Sequence, residues 1–233
     1  PDIISYLYEQ GLWLKMTTNG QARPGLMEDL VTRGLSAATF SVLAFTADEF
    51  LRTQRIKSIS WADSMIERSK DNILVTKKTG ATVKINTVVI NQDDYDRVEM
   101  IRRFAQDNDI ELALLNSLGD GDEAANAVFG YLESQGGIPG TEIGFTNSST
   151  FRRPYTLPSG QIVMGKGIRP LHPDVVCDGC ELRNTNSCVE KFYGIRLELR
   201  DQLYARLCVQ KTNPSTVMTL DDFVQNGVYY GLL

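Results

Sequence analysis

Four cysteines, Cys177, Cys180, Cys188 and Cys208, are all the chain contains, and they crowd into one stretch towards its carboxyl end. Cys177 and Cys180 have the spacing at which two thiolates on one tight turn reach the same metal centre. Gly179 between them relieves the backbone strain of such a turn. Cys188 follows after a short insertion, and Cys208 ends a strand that a hairpin can return to the turn. Four thiolates close the shell of a tetrahedral zinc ion, which would staple the fold, or of an iron–sulfur cluster, which would act electronically or beside substrate. Spacing leaves both open, with a metal-free group of buried thiols as a third reading. A disulfide framework does not fit so few cysteines in 233 residues. His172, the single histidine, sits among prolines in a fixed loop and reads as a surface or packing residue.

Other polar groups are weaker signals. Thr17-Thr18-Asn19-Gly20 finishes a strand in a turn, as many unrelated proteins do. Arg152 and Arg153 have the chemistry to clamp a phosphate or carboxylate, yet adjacent arginines more often form a solvated face. Asp120, Asp122 and Glu123 lack the spacing of a calcium loop and suit a solvated helix start. Trp13 and Trp61 read as core.

Composition sets the limits. Hydrophobic residues make up 42% and charged residues 23%, an ordinary globular balance that argues against disorder. A net charge of −5 opposes sequence-independent nucleic-acid binding, which needs clustered cations. No apolar run approaches the roughly 18 to 20 residues a membrane span needs, and no leader pattern appears. The expectation is a cytoplasmic protein with neither a membrane nor a nucleic acid as partner.

The elements that must position these groups alternate strand and helix up to about Leu118, the rhythm of βα units with a parallel sheet. A helix is in progress at Ile3, Ile4, Leu7 and Tyr8. Strands are expected at Leu12–Thr17, Thr39–Leu43, Ala81–Ile90 and Ile110–Leu115. Helices follow Pro24, ending at Gly34, and run from Ser60, boxed by Asp63, to Gly80. Another opens at Asp93 and Asp94, and one more runs to about Gln135. Beyond it, Tyr155–Leu157 and Ile162–Met164 flank the turn Pro158-Ser159-Gly160, and a second hairpin runs from Tyr193 to Val209, turning near Asp201. Thr219 with Asp222 caps a last short helix.

Taken in order, several of these pieces resemble the radical S-adenosylmethionine (AdoMet) superfamily, and in particular its GTP 3′,8-cyclase branch. LKMTTNG, Leu14 to Gly20, is similar to the family's third barrel strand, where Thr17, Thr18 and Asn19 would meet the methionyl part of AdoMet. FSVLAFTADEF, Phe40 to Phe50, is similar to the next, keeping Ser41 but with Ala44 where the family has an aspartate. VKINTVVINQDD, Val83 to Asp94, matches the following strand and puts Lys84 and Asn86 on one face. Asn116 near the end of the next strand joins Thr17, Ser41 and Asn86 at the carboxyl ends, where such barrels hold their chemistry.

CDGC followed by YGIRLELRDQLYARLCV resembles the branch's auxiliary [4Fe-4S] segment, which implies iron at the four cysteines. Arg196 matches the second of the cyclase's paired arginines, a substrate contact, while Gly194 stands at the first. The cyclase uses three cysteines, so Cys188 as a fourth thiolate, together with Gly194, points away from GTP and towards a peptide or another small metabolite.

The resemblance implies an α/β fold. A partial (β/α) TIM-like barrel would occupy 1–143, and a metal-binding extension with β-hairpins 144–233. The three-cysteine motif of the AdoMet cluster and the glycine- and glutamate-containing motif of the second strand are not in this chain. The second [4Fe-4S] cluster would be held by an amino-terminal segment or a separate chain completing the barrel, with a reductant protein as a further partner. The competing readings are a non-catalytic pseudoenzyme or scaffold with the same barrel, and a zinc-stapled binding module.

Overall fold

The computed structural model describes residues 2–53, 58–117, 120–144, 149–168, 171–185, 187–188 and 195–226. Pro1, Leu118, Tyr193 and Gly194 lie outside them. In chain order the first elements are α1 (Asp2–Glu9), β1 (Leu14–Thr18), α2 (Leu26–Thr32), β2 (Leu35–Ser41), α3 (Ala47–Thr53), α4 (Ile59–Lys78) and β3 (Thr82–Val89). After a 3-10 turn come α5 (Tyr95–Asp107), β4 (Glu111–Asn116), α6 (Gly121–Ser134), β5 (Ile138–Pro139), β6 (Ile143–Gly144), β7 (Thr150–Thr156) and β8 (Ile162–Ile168). The last part holds α7 (Asp174–Cys177), β9 (Arg196–Leu199), β10 (Leu203–Arg206), β11 (Val217–Thr219) and α8 (Leu220–Gln225).

The large sheet runs β1-β2-β3-β4-β8-β7-β5, with β6 also on β7. Strands β1 to β4 and β8 are parallel neighbours; β7 returns antiparallel to β8. Alternation along the strands sends Phe40, Ile85, Leu112, Leu114 and Val163 to one face, where Met27, Ile73, Ile101, Val128 and Leu132 of α2, α4, α5 and α6 bury them. The other face carries no helix from this set. Among the described residues β1 and β5 end the strand order, so the α/β class holds while the sheet stands open, without the closure of a barrel.

Boundaries moved for identifiable reasons. Helix α4 is capped by Ser58, whose extended backbone lets Oγ accept from Trp61 N at 3.3 Å, so Ser60 falls inside the first turn instead of capping it. Gly80 closes α4 at φ +112, with Gly80 N donating to Lys77 O and Ala81 N to Thr76 O. Strand β2 begins at Leu35, ahead of the expected Thr39, because Ala37 and Ala38 pair with β1 despite the weak strand preference of alanine. Trp13 is 68% exposed, a correction to its reading as core, and Trp61 is half-buried against Phe50.

The expected division at 143/144 falls inside β6, and the β7–β8 hairpin beyond it joins the large sheet. A separate three-stranded antiparallel sheet, β11-β10-β9, follows, with a core of Ala205, Leu207 and Phe223. Its β9–β10 hairpin turns at 200–202, as the sequence anticipates, and Thr219 Oγ1 caps α8 by accepting from Asp222 N at 3.0 Å. No helix among the described residues is long and apolar enough to cross a membrane.

Candidate metal centre and strand-end pocket

The cysteines are brought together by turns and a small core. Pro173 starts the single turn of α7, and Cys177 N donates to its carbonyl at 2.8 Å. The chain then doubles back through Cys180 N to Cys177 O at 3.1 Å and Arg183 N to Cys180 O at 3.0 Å. Gly179 takes φ +64 with open space around it, so conformation and not crowding calls for glycine. Cys188 N donates to Thr185 O at 3.2 Å, closing a further turn. Cys208 follows β10, and Lys211 N donates to its Sγ at 3.4 Å. Val176 packs on the Ala205, Leu207 and Phe223 core, which sets the Cys177 turn beside the end of β10.

All four cysteines line one cavity, together with His172, Arg183 and Lys211. Cys188 is buried and the other three are half-buried, none in a disulfide. Burial pushes the Cys177 thiol up to about 11; Cys188, Cys180 and Cys208 push the same way and Arg183 opposes them. A cation bound at Cys177 would reverse this preference by binding its thiolate. Among the described residues no three His, Cys, Asp or Glu side chains stand in position to hold a single metal ion. Arg196 opens β9 opposite Arg206 and does not line this cavity; Lys211 does, and its sequence signal was only its nearness to Cys208.

A second cavity, of about 70 Å³, lies at the ends of β1 and β2 and is lined by Asn19, Gln21, Ser41, Ala44, Phe50 and Ser69 among others. Thr18 Oγ1 accepts from Gly20 N, and Asn19 Oδ1 from Gln21 N, ordering the turn. Sequence reasoning missed the groups that pin it. Asn72, 3% exposed, donates to Gly20 O at 2.8 Å and Ala22 O at 2.9 Å, and Ser69 Oγ donates to Asn19 O. Their signal was polar residues on the apolar face of α4, beside Ile66 and Ile73. Arg97, also missed, donates to Leu43 O at 2.7 Å and Val88 O at 2.6 Å while paired with Asp94 at 2.9 Å, tying the ends of β2 and β3 together.

Thr17, Thr39, Lys84 and Glu111 form one row across the helix-free face, and Ser41, Asn86 and Ala113 the next. Lys84 is lowered by burial first; Glu111 opposes, and Lys15, Arg152 and Lys166 lower it further. Thr39 Oγ1 and Asn86 Oδ1 are buried there without a hydrogen-bond partner. Asn116 does not join them: it aligns with the core residue Val89 and follows the parity of Leu112 and Leu114, on the helix side. Arg152 and Arg153 part in the same way, Arg153 pairing with Glu142 at 2.8 Å over the Phe129 ring of α6.

No protein-family model and no curated protein matches the sequence. Among solved structures, Streptococcus suis SuiB bound to S-adenosylmethionine aligns at TM-score 0.43 and 14% identity, over 58% of this chain and 32% of that one. SuiB bound to precursor peptide SuiA gives the same values. This chain therefore spans about a third of the length of the SuiB chains, and a likeness of this strength establishes neither a shared fold nor a shared chemistry.

Proposed function

We propose that this chain is the carboxy-terminal part of a cytoplasmic radical AdoMet enzyme that abstracts hydrogen from a peptide or small metabolite and carries an auxiliary [4Fe-4S] cluster. The observation that carries the reading is the convergence of Cys177, Cys180, Cys188 and Cys208 on one cavity. With four thiolates the cluster would be fully ligated, which favours passing an electron over binding substrate. Lys211 N, donating to Cys208 Sγ, would tune its potential. Arg196 would contact substrate.

Residues 1–143 would supply part of the AdoMet pocket and 144–233 the cluster site. Asn19 and Ser41 face the strand-end cavity and would hold the methionyl group, on a turn fixed by Thr18, Ser69 and Asn72. Thr17, Asn86 and Lys84 reach from the adjoining helix-free face, where the buried Asn86 Oδ1 has a hydrogen bond left to make. AdoMet, when bound, would supply the hydrogen-abstracting radical, and a second [4Fe-4S] cluster the electron for it. That cluster would come from an amino-terminal segment or a separate chain, with electrons from a reductant protein. The residues here position the reacting carbon and exclude water.

Calorimetric titration with AdoMet tests the pocket. Binding that is weakened about tenfold or more by Asn19→Ala and Ser41→Ala is expected. No binding, or binding indifferent to both, returns the chain to a scaffold or a zinc-stapled module.

A further inference from the structure

We propose that two copies of this chain pair through the free edge of β9, joining their small sheets antiparallel about a two-fold axis at Leu197. The inference goes beyond the AdoMet reading and would stand if the chain bound no AdoMet. Among the described residues β9 ends the strand order β11-β10-β9. Leu197 and Leu199 lie on the face they share with Ala205, which is buried with Leu207 and Phe223. That cover does not reach β9: Leu197 is 60% exposed and Leu199 81%, and Ile195 just before them 46%. Soluble proteins blunt such an edge with charge, proline or a bulge. β9 holds no proline, pairs with β10 without a bulge, and carries no charge on its leucine face.

Backbone geometry points the same way. Arg200 N donates to Gln202 O at 2.9 Å, closing the β9–β10 hairpin. Bonded and non-bonded pairs alternate along an antiparallel ladder, so Glu198 and Arg196 spend their backbone groups on β10. Leu197 and Leu199 therefore turn their N–H and C=O groups to the free edge. The residues with exposed apolar side chains are the ones able to extend the ladder.

A second copy fits this edge because the segment complements itself. Ile195, Leu197 and Leu199 alternate with Arg196 and Glu198. An antiparallel partner centred on Leu197 sets Leu197 against Leu197 and Ile195 against Leu199, apolar throughout on one face. On the other face Glu198 lies across from Arg196, unlike charges, and neither side chain has to give up a partner for the strands to pair. Moved two residues towards the turn, the pairing would set Glu198 against Glu198; moved one residue, it would put leucine beside glutamate. Within each chain Glu198 pairs with Arg200 at 2.9 Å and with Arg206, so its charge is met on the polar face and the leucine face is the one a partner completes. Five residues a side bury less than about 1,200 Å², the lower bound of stable interfaces, so the dimer is a weak one that forms at high concentration.

The test is sedimentation equilibrium on the full chain, with Leu197→Lys and Leu197→Glu as variants of an exposed position. The mass of the native chain is expected to rise from one copy towards two between about 10 µM and 1 mM. Each variant alone, with like charges meeting at the axis, is expected to stay at one copy. Mixed in equal amounts the two variants should pair again, because lysine then meets glutamate, and that rescue also shows both to be folded. A native chain that stays at one copy throughout overturns the proposal and leaves the edge to a strand of another protein. A dimer that survives in either variant places the contact elsewhere, and a mixture that stays at one copy removes Leu197 from the axis; both overturn it.

Discussion

The large sheet and the small cysteine-bearing sheet are held together by different means. In the first, strands β1 to β4 and β8 bury a continuous row of apolar side chains under four helices, with Ile85, Leu114, Val128 and Val163 fully enclosed. In the second, the described residues form a core of three buried side chains, Ala205, Leu207 and Phe223, flanked by Leu171, Val176, Met218 and Leu220, while Leu197 and Leu199 of β9 remain largely exposed. Burial stabilises by roughly 25 cal/mol per Å² of apolar surface, so so small a core does little against chain entropy. Small units of this kind need a staple, and among the described residues the four thiols are a source of one. A metal at these cysteines, as proposed, would serve as structural support for the same residues that would use it chemically.

The largest effect should come from removing that staple. Chelation, or Cys208→Ser, is expected to abolish hydrogen-exchange protection across 196–219 while β3 and β4 keep theirs. Protection that persists in both regions would erase the contrast. Within the large sheet, Arg97→Met should cost roughly 3–5 kcal/mol in chemical denaturation, because it strands Asp94 and frees the carbonyls of Leu43 and Val88. Ile85→Ala should cost about 2–5 kcal/mol through its cavity and leave metal content unchanged.

A smaller effect is expected from acid. Glu99 accepts from Arg102, Tyr131 and Arg103, and the Arg102 hydrogen bond above all holds its carboxyl down to about 2, against 4.5 ordinarily. A depressed carboxyl contributes fully above its unfolded value, and that contribution is lost as pH falls from 4.5 towards 2. At about 1.4 kcal/mol per pKa unit this is at most about 3.5 kcal/mol, which solvent screening of the partly exposed carboxylate reduces to roughly 2–3 kcal/mol, read as a fall in Tm that Glu99→Gln flattens. Least of all, Lys70→Ala removes a surface pair with Glu67 and should change stability by about 0.2–1 kcal/mol.

What could be read from the sequence follows the same divide. β3 is legible because its stretch is rich in Val, Ile and Thr, and the hairpin turn at Pro158-Ser159-Gly160 because its residues dictate it. The length of that hairpin is hidden: Gly165 and Gly167 look like strand breakers, yet they are where the rings of Phe129 and Phe151 lie against the backbone. The cysteine site shows in spacing alone. Asn72, Arg97 and Lys211 do not, because each acts through a neighbour far away in sequence or on a turn set by tertiary packing. Asn116 ends β4 as its sequence position implies, but alternation sets it with Leu112 and Leu114 on the helix side, which nearness to the strand end does not reveal.

The most direct test is the iron, sulfide and zinc content of the chain purified without oxygen. The account predicts about four irons and four sulfides per chain, with visible absorbance lost in Cys177→Ser and Cys208→Ser. One zinc without sulfide, or no metal at all, would contradict it.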